Sequence, residues 1–199
     1  MALVGDGAPM RDLEFRPMVW PRLAPVRLFL CGLSGSGKGL VAEHLAQEEG
    51  FHRVSLGALC AAEAERQCWA LDRVNLQAAG DVLRRDDLAA LARRALESPT
   101  PTDVSGVVVD GVRLPAEADL LRRAGYLGIG VSASEWTRAR RLKARGERWP
   151  VPDHYSEIMA GEVRIDYLLP SDDMEDPGLL LVRVARMLRW ARARASQGR

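Results

Sequence analysis

Residues 26–39 read VRLFLCGLSGSGKG, a short apolar run followed at once by a glycine-rich stretch. Apart from Arg27 the run is apolar, as is typical of a strand buried between two layers of helices. Gly32, Gly37 and Lys38 have the spacing of a glycine, four intervening residues, a glycine and a lysine. Glycines let the backbone turn tightly and present N–H groups to phosphate oxygens, and the lysine reaches the outer phosphates. The stretch therefore predicts a phosphate-binding loop between a buried strand and a helix.

Outward from this loop, the chain alternates short apolar runs with longer helical patterns. Strands are predicted at 26–31, 51–56, 106–110, 127–131 and 165–169. Helices are predicted at 38–49, 58–70, 75–97, 116–124, 135–144 and 179–194. Strands that alternate with helices make right-handed crossovers and a parallel sheet. We therefore expect an α/β fold, with a central sheet of about five strands and helices on both faces.

The chain is expected to fold as one domain preceded by an arm. Its 199 residues lie within the usual range for a single domain. Four prolines before residue 26 suit neither a helix interior nor a central strand, so we expect residues 1–25 to be an extended arm. The domain is then expected at 26–199, with a compact lid at about 138–155 and a terminal helix at about 179–194.

Composition excludes several classes of partner. The 28 basic and 27 acidic residues give a net charge of +1, so the chain lacks the positive excess of a nucleic-acid-binding protein. Its longest apolar runs are strand-sized, and its first 25 residues contain no signal-peptide pattern. We therefore expect a cytoplasmic protein with no nucleic-acid or membrane partner. The oligomeric state is left open.

The loop lacks the usual ligand for magnesium. Gly39 stands where most such loops place a serine or threonine that binds the metal directly. Asp110 ends the apolar run 106–110, and its carboxylate is expected to hold magnesium through water. The alternative is that Asp110 only caps a turn at the end of the strand. The residues expected to hold the nucleotide are Gly32, Ser34, Gly35, Ser36, Gly37, Lys38, Gly39 and Leu40.

The loop and the run VVVDGVR at 107–113 together resemble the nucleoside monophosphate kinases and their relatives. These relatives include adenylate kinases, phage deoxynucleotide kinases, dephospho-coenzyme A kinases and phosphomevalonate kinases. The resemblance covers about residues 26–190, and it makes Gly39 expected because adenylate kinases also read Gly-Lys-Gly there. It implies a three-layer P-loop kinase fold that uses ATP and Mg²⁺. It also implies a small-molecule phosphate acceptor.

The resemblance assigns roles to several arginines. Arg113 corresponds to the arginine that grips the acceptor's phosphate, a task suited to a guanidinium with two parallel donors. The basic segment 138–148 resembles the entrance of the family's lid, which implies that one of Arg141 and Arg145 lies over the adenine and the other reaches the transferring phosphates. Both are expected on one helix face. Lys38 and Asp110 complete this predicted catalytic set, and the alternative for the basic segment is a solvated helix face.

The acceptor side matches the family less well. The run RVNLQAAG at 73–80 is similar to a segment of the phage enzymes, which implies that Arg73 holds a phosphate and Gln77 reads a base edge. Ala58 and Ala61 stand where adenylate kinases usually carry an aspartate and an acceptor-binding arginine. Arg66 is a further candidate for the missing arginine, although a solvated helix residue is the alternative there.

Three hypotheses about function remain open. The leading one is an ATP-dependent kinase that adds a phosphoryl group to a nucleoside or deoxynucleoside monophosphate. The second is a kinase of another small acceptor, such as dephospho-coenzyme A or a phosphorylated metabolite. The third is an ATP-binding regulatory protein with reduced catalysis, a state that Ala58 and Ala61 would also fit. The sequence leaves the identity of the acceptor open.

Overall fold

A computed structural model describes residues 25–147, 154–173 and 176–197. The predicted arm lies outside the described residues except for Pro25, as do residues 148–153 of the predicted lid. Within the described part of the chain, every helix is too short or too polar to cross a membrane.

The core of the fold is a parallel sheet of five strands in the order β2-β3-β1-β4-β5. The strands are β1 (Val26–Cys31), β2 (Phe51–Ser55), β3 (Gly106–Val112), β4 (Leu127–Ser132) and β5 (Tyr167–Pro170). The helices are α1 (Lys38–Gln47), α2 (Leu56–Arg66), α3 (Arg73–Arg84), α4 (Ala90–Glu97), α5 (Pro115–Arg123), α6 (Glu135–Ala144), α7 (Tyr155–Ala160) and α8 (Pro177–Gln197). The strand that precedes the phosphate loop is thus the middle strand of the sheet.

Both faces of the sheet are covered, because side chains alternate between the two faces along each strand. Leu28 and Leu30 of β1 pack with α1 and α8 on one face. Phe29 and Cys31, the alternate residues, pack with α2, α4 and α5 on the other face. The predicted three-layer α/β fold with five parallel strands is confirmed.

The helix predicted at 75–97 is wrong, because the structure has two helices there. The Asp87 carboxylate accepts a hydrogen bond of 2.8 Å from the Ala89 N–H, in the segment between α3 and α4. A short aspartate side chain competes in this way with the helical hydrogen bonds of the backbone. Residues 85–89 therefore separate the two helices.

Two further elements differ from the sequence-based expectations. The last strand begins at Tyr167, two residues later than predicted. The residue before it, Asp166, accepts a hydrogen bond of 2.7 Å from the Gly128 N–H through its carboxylate. The short helix α7 was not predicted, since its six residues are too few to show a helical pattern. It nevertheless contributes a side chain to the candidate site.

Candidate active site

The phosphate loop has the backbone that its glycines predict. Gly32, Gly35 and Gly37 have φ angles of 138°, 77° and 90°, in the region that side chains disfavour. A Cβ atom on Gly32 would lie 2.2 Å from the Val131 carbonyl oxygen, and one on Gly35 would lie 2.8 Å from the Arg138 carbonyl oxygen. Only glycine fits at these two positions. The loop is therefore held between β4 and α6.

Lys38 is the first residue of α1 and is buried against the loop. Its Nζ donates hydrogen bonds to the Gly32 carbonyl at 2.7 Å and to the Leu33 carbonyl at 2.9 Å. Burial, with a smaller contribution from Arg113, lowers the pKa of Lys38 to about 7, although Asp110 and Glu157 oppose the shift. The ammonium group thus lies at the loop, and the nearby Asp110 and Glu157 carboxylates offset its positive charge only in part. This loop, at the positive end of the α1 dipole, fits the phosphates of a nucleotide.

Helix α6 lies over the phosphate loop. Arg138 donates to the Ser34 carbonyl at 3.4 Å, and Arg141 donates to the Gly35 carbonyl at 3.3 Å. Arg141 also donates to Ser171, whose hydroxyl in turn donates to the Ser36 carbonyl at 2.5 Å. Arg138 is not among the residues that the sequence predicts for the site. Its position three residues before Arg141, on the same helix face, is the signal that identifies it.

The structure does not bring Arg145 to the loop. Arg145 follows the last residue of α6, and its side chain is 56% exposed, with a guanidinium nitrogen 3.8 Å from the Glu147 carboxylate. The helix ends before the spacing of four residues from Arg141 can place both side chains over the phosphates. In this state Arg141 contacts the loop and Arg145 faces solvent.

Asp110 lies in β3, two residues before the strand ends, and is already paired. Arg53 of the neighbouring strand β2 contacts the Asp110 carboxylate at 2.6 Å. Within the described residues no group of three or more potential ligands converges on a metal position. Magnesium often takes only one or two protein carboxylates together with phosphates and water, so Asp110 fits such a site. Sequence reasoning missed Arg53, which would compete with a metal for this carboxylate.

Four side chains, which we call the anion cluster, meet between the loop and the acceptor side: Ser34, Arg73, Arg113 and Glu157. The Glu157 carboxylate accepts hydrogen bonds from both arginines, from the Ser34 hydroxyl at 2.8 Å and from the Ser34 N–H at 3.3 Å. Burial alone would raise the pKa of Glu157, but Arg113, Ser34 and Arg73 hold it at about 2. Glu157 is thus an ionised carboxylate at a phosphate loop. Because it comes from α7, sequence reasoning missed it.

A cavity of about 150 Å³ opens beside the anion cluster, and we call it the acceptor pocket. Its walls include Arg73, Gln77 and Arg113, three of the four residues that the sequence predicts for acceptor binding. The Gln77 Nε2 and the Arg73 Nε are buried, and no described residue accepts a hydrogen bond from either. Arg66, the fourth candidate, instead forms a bidentate pair with Glu63 away from the pocket.

The end of α3 and the start of α5 support this pocket. Glu117 is fully buried and receives two hydrogen bonds from Arg84, from Nε at 2.8 Å and from Nη2 at 2.7 Å. Its other oxygen accepts from the backbone N–H groups of Arg113 and Leu114 at 3.0 and 3.1 Å. The ion pair therefore fixes the backbone that carries Arg113. A Cβ atom on Gly80 would lie 2.7 Å from the Arg84 guanidinium, so a larger residue there would require Arg84 to shift.

Comparisons with known proteins identify the family of this chain. Residues 28–160 match the family model described as "AAA domain". A UPF0200 protein of Methanothrix thermoacetophila is 36% identical over 118 residues, which cover 58% of this chain and 63% of that protein. A shikimate kinase of Chlorobium chlorochromatii is 29% identical over 125 residues, which cover 62% of each chain. The chain therefore spans less than two thirds of the length of both proteins.

Solved structures share the fold. The crystal structure of a shikimate kinase from Bacteroides thetaiotaomicron has a TM-score of 0.55 and 15% identity, covering 83% of this chain and 97% of that one. A putative kinase from Chloroflexus aurantiacus has a TM-score of 0.54, covering 88% of this chain and all of that one. At such low identity the likeness is one of fold alone. The family match goes further, and it shows that this chain belongs to the AAA domain family, as a P-loop protein that shares its fold with solved kinases.

Proposed function

We propose that the protein is an ATP-dependent phosphotransferase that acts on a small anionic acceptor. One observation carries this proposal: the anion cluster connects the phosphate loop, through Ser34, to the acceptor pocket, through Arg73 and Arg113. A donor phosphate held by the loop would thus face an acceptor held by Arg73 and Arg113. Phosphoryl transfer depends mainly on such positioning and on neutralising the charge of the moving group.

The residues divide the reaction between them. The loop N–H groups, Lys38, Arg138 and Arg141 would hold the phosphates of ATP, and Arg113 and Arg73 would hold the acceptor. An acceptor oxygen attacks the γ-phosphorus, the bond to the β,γ-bridging oxygen breaks, and ADP leaves with that electron pair. Magnesium, held near Asp110, would neutralise charge on the phosphates. A phosphate acceptor requires no general base, because its oxygen is already ionised at neutral pH.

The acceptor that we favour is a nucleoside or deoxynucleoside monophosphate. Arg73 and Arg113 offer two guanidinium groups to the phosphate of such an acceptor. The buried Gln77 Nε2 lacks an acceptor among the described residues and would find one on the edge of a base. A buried amide donor without a partner is costly, so a ligand oxygen at this point would bring a net gain.

The second candidate is another compact acceptor, such as a phosphorylated metabolite. The volume of the acceptor pocket favours it, since about 150 Å³ is smaller than the roughly 300 Å³ at which sites for small-molecule ligands begin. The similarity to a protein named shikimate kinase agrees with a small acceptor. Dephospho-coenzyme A is a larger acceptor and would require the pocket to open.

A coupled assay for ADP release tests these candidates. The purified protein would be given Mg-ATP with each nucleoside and deoxynucleoside monophosphate, with dephospho-coenzyme A and with shikimate. We expect turnover with one class of acceptor above the acceptor-free rate, and its loss in Lys38→Ala. Tight ATP binding without turnover on any acceptor would instead favour the regulatory alternative. Unchanged turnover in Lys38→Ala would contradict the assignment of the loop.

A further inference from the structure

Glu157 takes up the position at which the two halves of the site meet. Its carboxylate contacts the loop through the Ser34 N–H and hydroxyl, and it contacts the acceptor side through Arg73 and Arg113. It is 93% buried, since its side-chain exposure is only 7%. These donors are the kinds of group that bind phosphoryl oxygens: a loop N–H, a hydroxyl and two guanidinium groups.

The charge balance shows why a carboxylate lies here. Two arginines and the neighbouring Lys38 would otherwise face one another in a largely buried space. Like charges at such separations repel strongly when water is excluded. Glu157 is ionised, with a pKa of about 2, and supplies the negative charge that lets the cations converge. The cluster thus contains a counter-charge of its own.

The transferred phosphoryl group needs the same space. For transfer, the γ-phosphorus must lie between the loop that holds ATP and the arginines that hold the acceptor. The Glu157 carboxylate already bonds to both of those sides. ADP has no γ-phosphoryl group and makes no demand on this space. The two nucleotides should therefore respond differently to the loss of the carboxylate.

We propose that Glu157 is an internal placeholder for the transferred phosphoryl group and must withdraw from the anion cluster before ATP binds fully. The inference rests on the proposed function. It adds a free-energy cost to the binding of the triphosphate, because the Glu157 carboxylate must first leave the cluster. When a binding-competent state is only partly populated, the apparent affinity falls by that fraction. Removing the charge of the carboxylate therefore lowers the free-energy cost of binding the triphosphate, whereas the binding of ADP is unaffected. Glu157 thus lowers the affinity for ATP relative to ADP in the resting protein.

Calorimetric titration of ADP and of a non-hydrolysable β,γ-imido analogue of ATP tests the placeholder. Glu157→Gln keeps the shape of the side chain and removes its charge. We expect the dissociation constant of the analogue to fall by about tenfold, whereas that of ADP changes by less than about twofold. Glu157→Asp, whose carboxylate is one methylene shorter, should give an intermediate shift. The matched control is Glu162→Gln, because Glu162 is exposed on the turn after α7.

The possible outcomes separate the two proposals. If Glu157 only positioned the arginines, Glu157→Gln would weaken the analogue or leave it unchanged, and the placeholder would be wrong. An equal gain for ADP and the analogue would also overturn it. If wild type binds neither nucleotide and Lys38→Ala behaves like wild type, the proposed function fails. In that case the placeholder fails with it, whereas binding of both nucleotides to wild type without a gain for the analogue in Glu157→Gln overturns the placeholder alone.

Discussion

Lys38 is the residue of the phosphate-loop motif that would contact the transferred phosphoryl group. Two carbonyl oxygens hold its ammonium group at the loop. Replacement by alanine removes the charge that would stabilise the moving phosphoryl group. We expect Lys38→Ala to lower the transfer rate roughly 100-fold or more. Stability should fall little, because burial disfavours the charged form of Lys38 and therefore opposes folding. The control is Lys143→Ala, the exposed second lysine of the chain. Steady-state kinetics and urea unfolding measure the two effects.

The lowered pKa of Lys38 predicts that nucleotide binding is linked to pH. In the free protein its pKa is about 7, so above that pH the side chain is largely neutral. Phosphate oxygens favour the charged form, so binding at pH 8 to 9 should take up to about one proton and weaken as the pH rises. Below pH 7 no uptake is expected, because the side chain is already charged. Titration calorimetry in buffers of different ionisation enthalpy measures this proton uptake. Equal heats in all buffers at pH 8.5 would contradict the assignment.

At the level of elements, the buried pair Arg84–Glu117 joins α3 to α5 and fixes the turn that carries Arg113. Arg84→Met leaves the buried Glu117 carboxyl group with only backbone partners. We expect the free energy of unfolding to fall by about 3 kcal/mol. Arg93→Met is the matched control, since Arg93 forms an exposed pair with Asp87. Its effect should be clearly smaller. Equal losses in the two variants, measured by urea denaturation, would contradict this structural role.

Arg141 in helix α6 and Arg145, the residue after its end, are expected to have different effects on ATP binding and on transfer. Arg141 contacts the loop, whereas Arg145 lies in solvent where the helix ends. Arg141→Ala should weaken ATP binding by about tenfold, through the loss of charge-assisted hydrogen bonds. Arg145→Ala should leave ATP affinity unchanged and lower only the transfer rate, if it reaches the phosphates during turnover as the sequence suggests. Dissociation constants and turnover numbers separate the two effects. An unchanged turnover number would remove Arg145 from the catalytic set.

For the whole molecule, ATP is expected to stabilise the fold. The arrangement of the loop and arginines that would bind ATP exists only in the folded chain. At 100 times its dissociation constant, a ligand adds about 2.7 kcal/mol. For a chain of this size that corresponds to a rise in melting temperature of roughly 5 to 10 °C. Lys38→Ala should lose most of the rise. Differential scanning calorimetry with and without Mg-ATP measures it, and an equal rise in both proteins would point to a different nucleotide site.

Local pattern was enough for much of the fold. The runs 26–31 and 106–110 are long and apolar enough to be recognised as buried strands, and alternation with helices implied parallel pairing. Pattern failed where one side chain or a short length decided the outcome. Asp87 interrupts the helical pattern at 75–97 by binding the backbone, and the six residues of α7 span less than two turns.

The sequence by itself determined the phosphate loop, because glycine spacing and a following helix are local properties that need no partner. It also indicated Arg73, Gln77 and Arg113, which line one pocket. Only the tertiary structure decided how charges are paired around them. Glu157 lies more than 40 residues from every residue that it binds in the anion cluster, and Arg53 reaches Asp110 from another strand. The physical reason is that electrostatic partners are chosen by distance in space, which chain folding sets and spacing along the sequence does not.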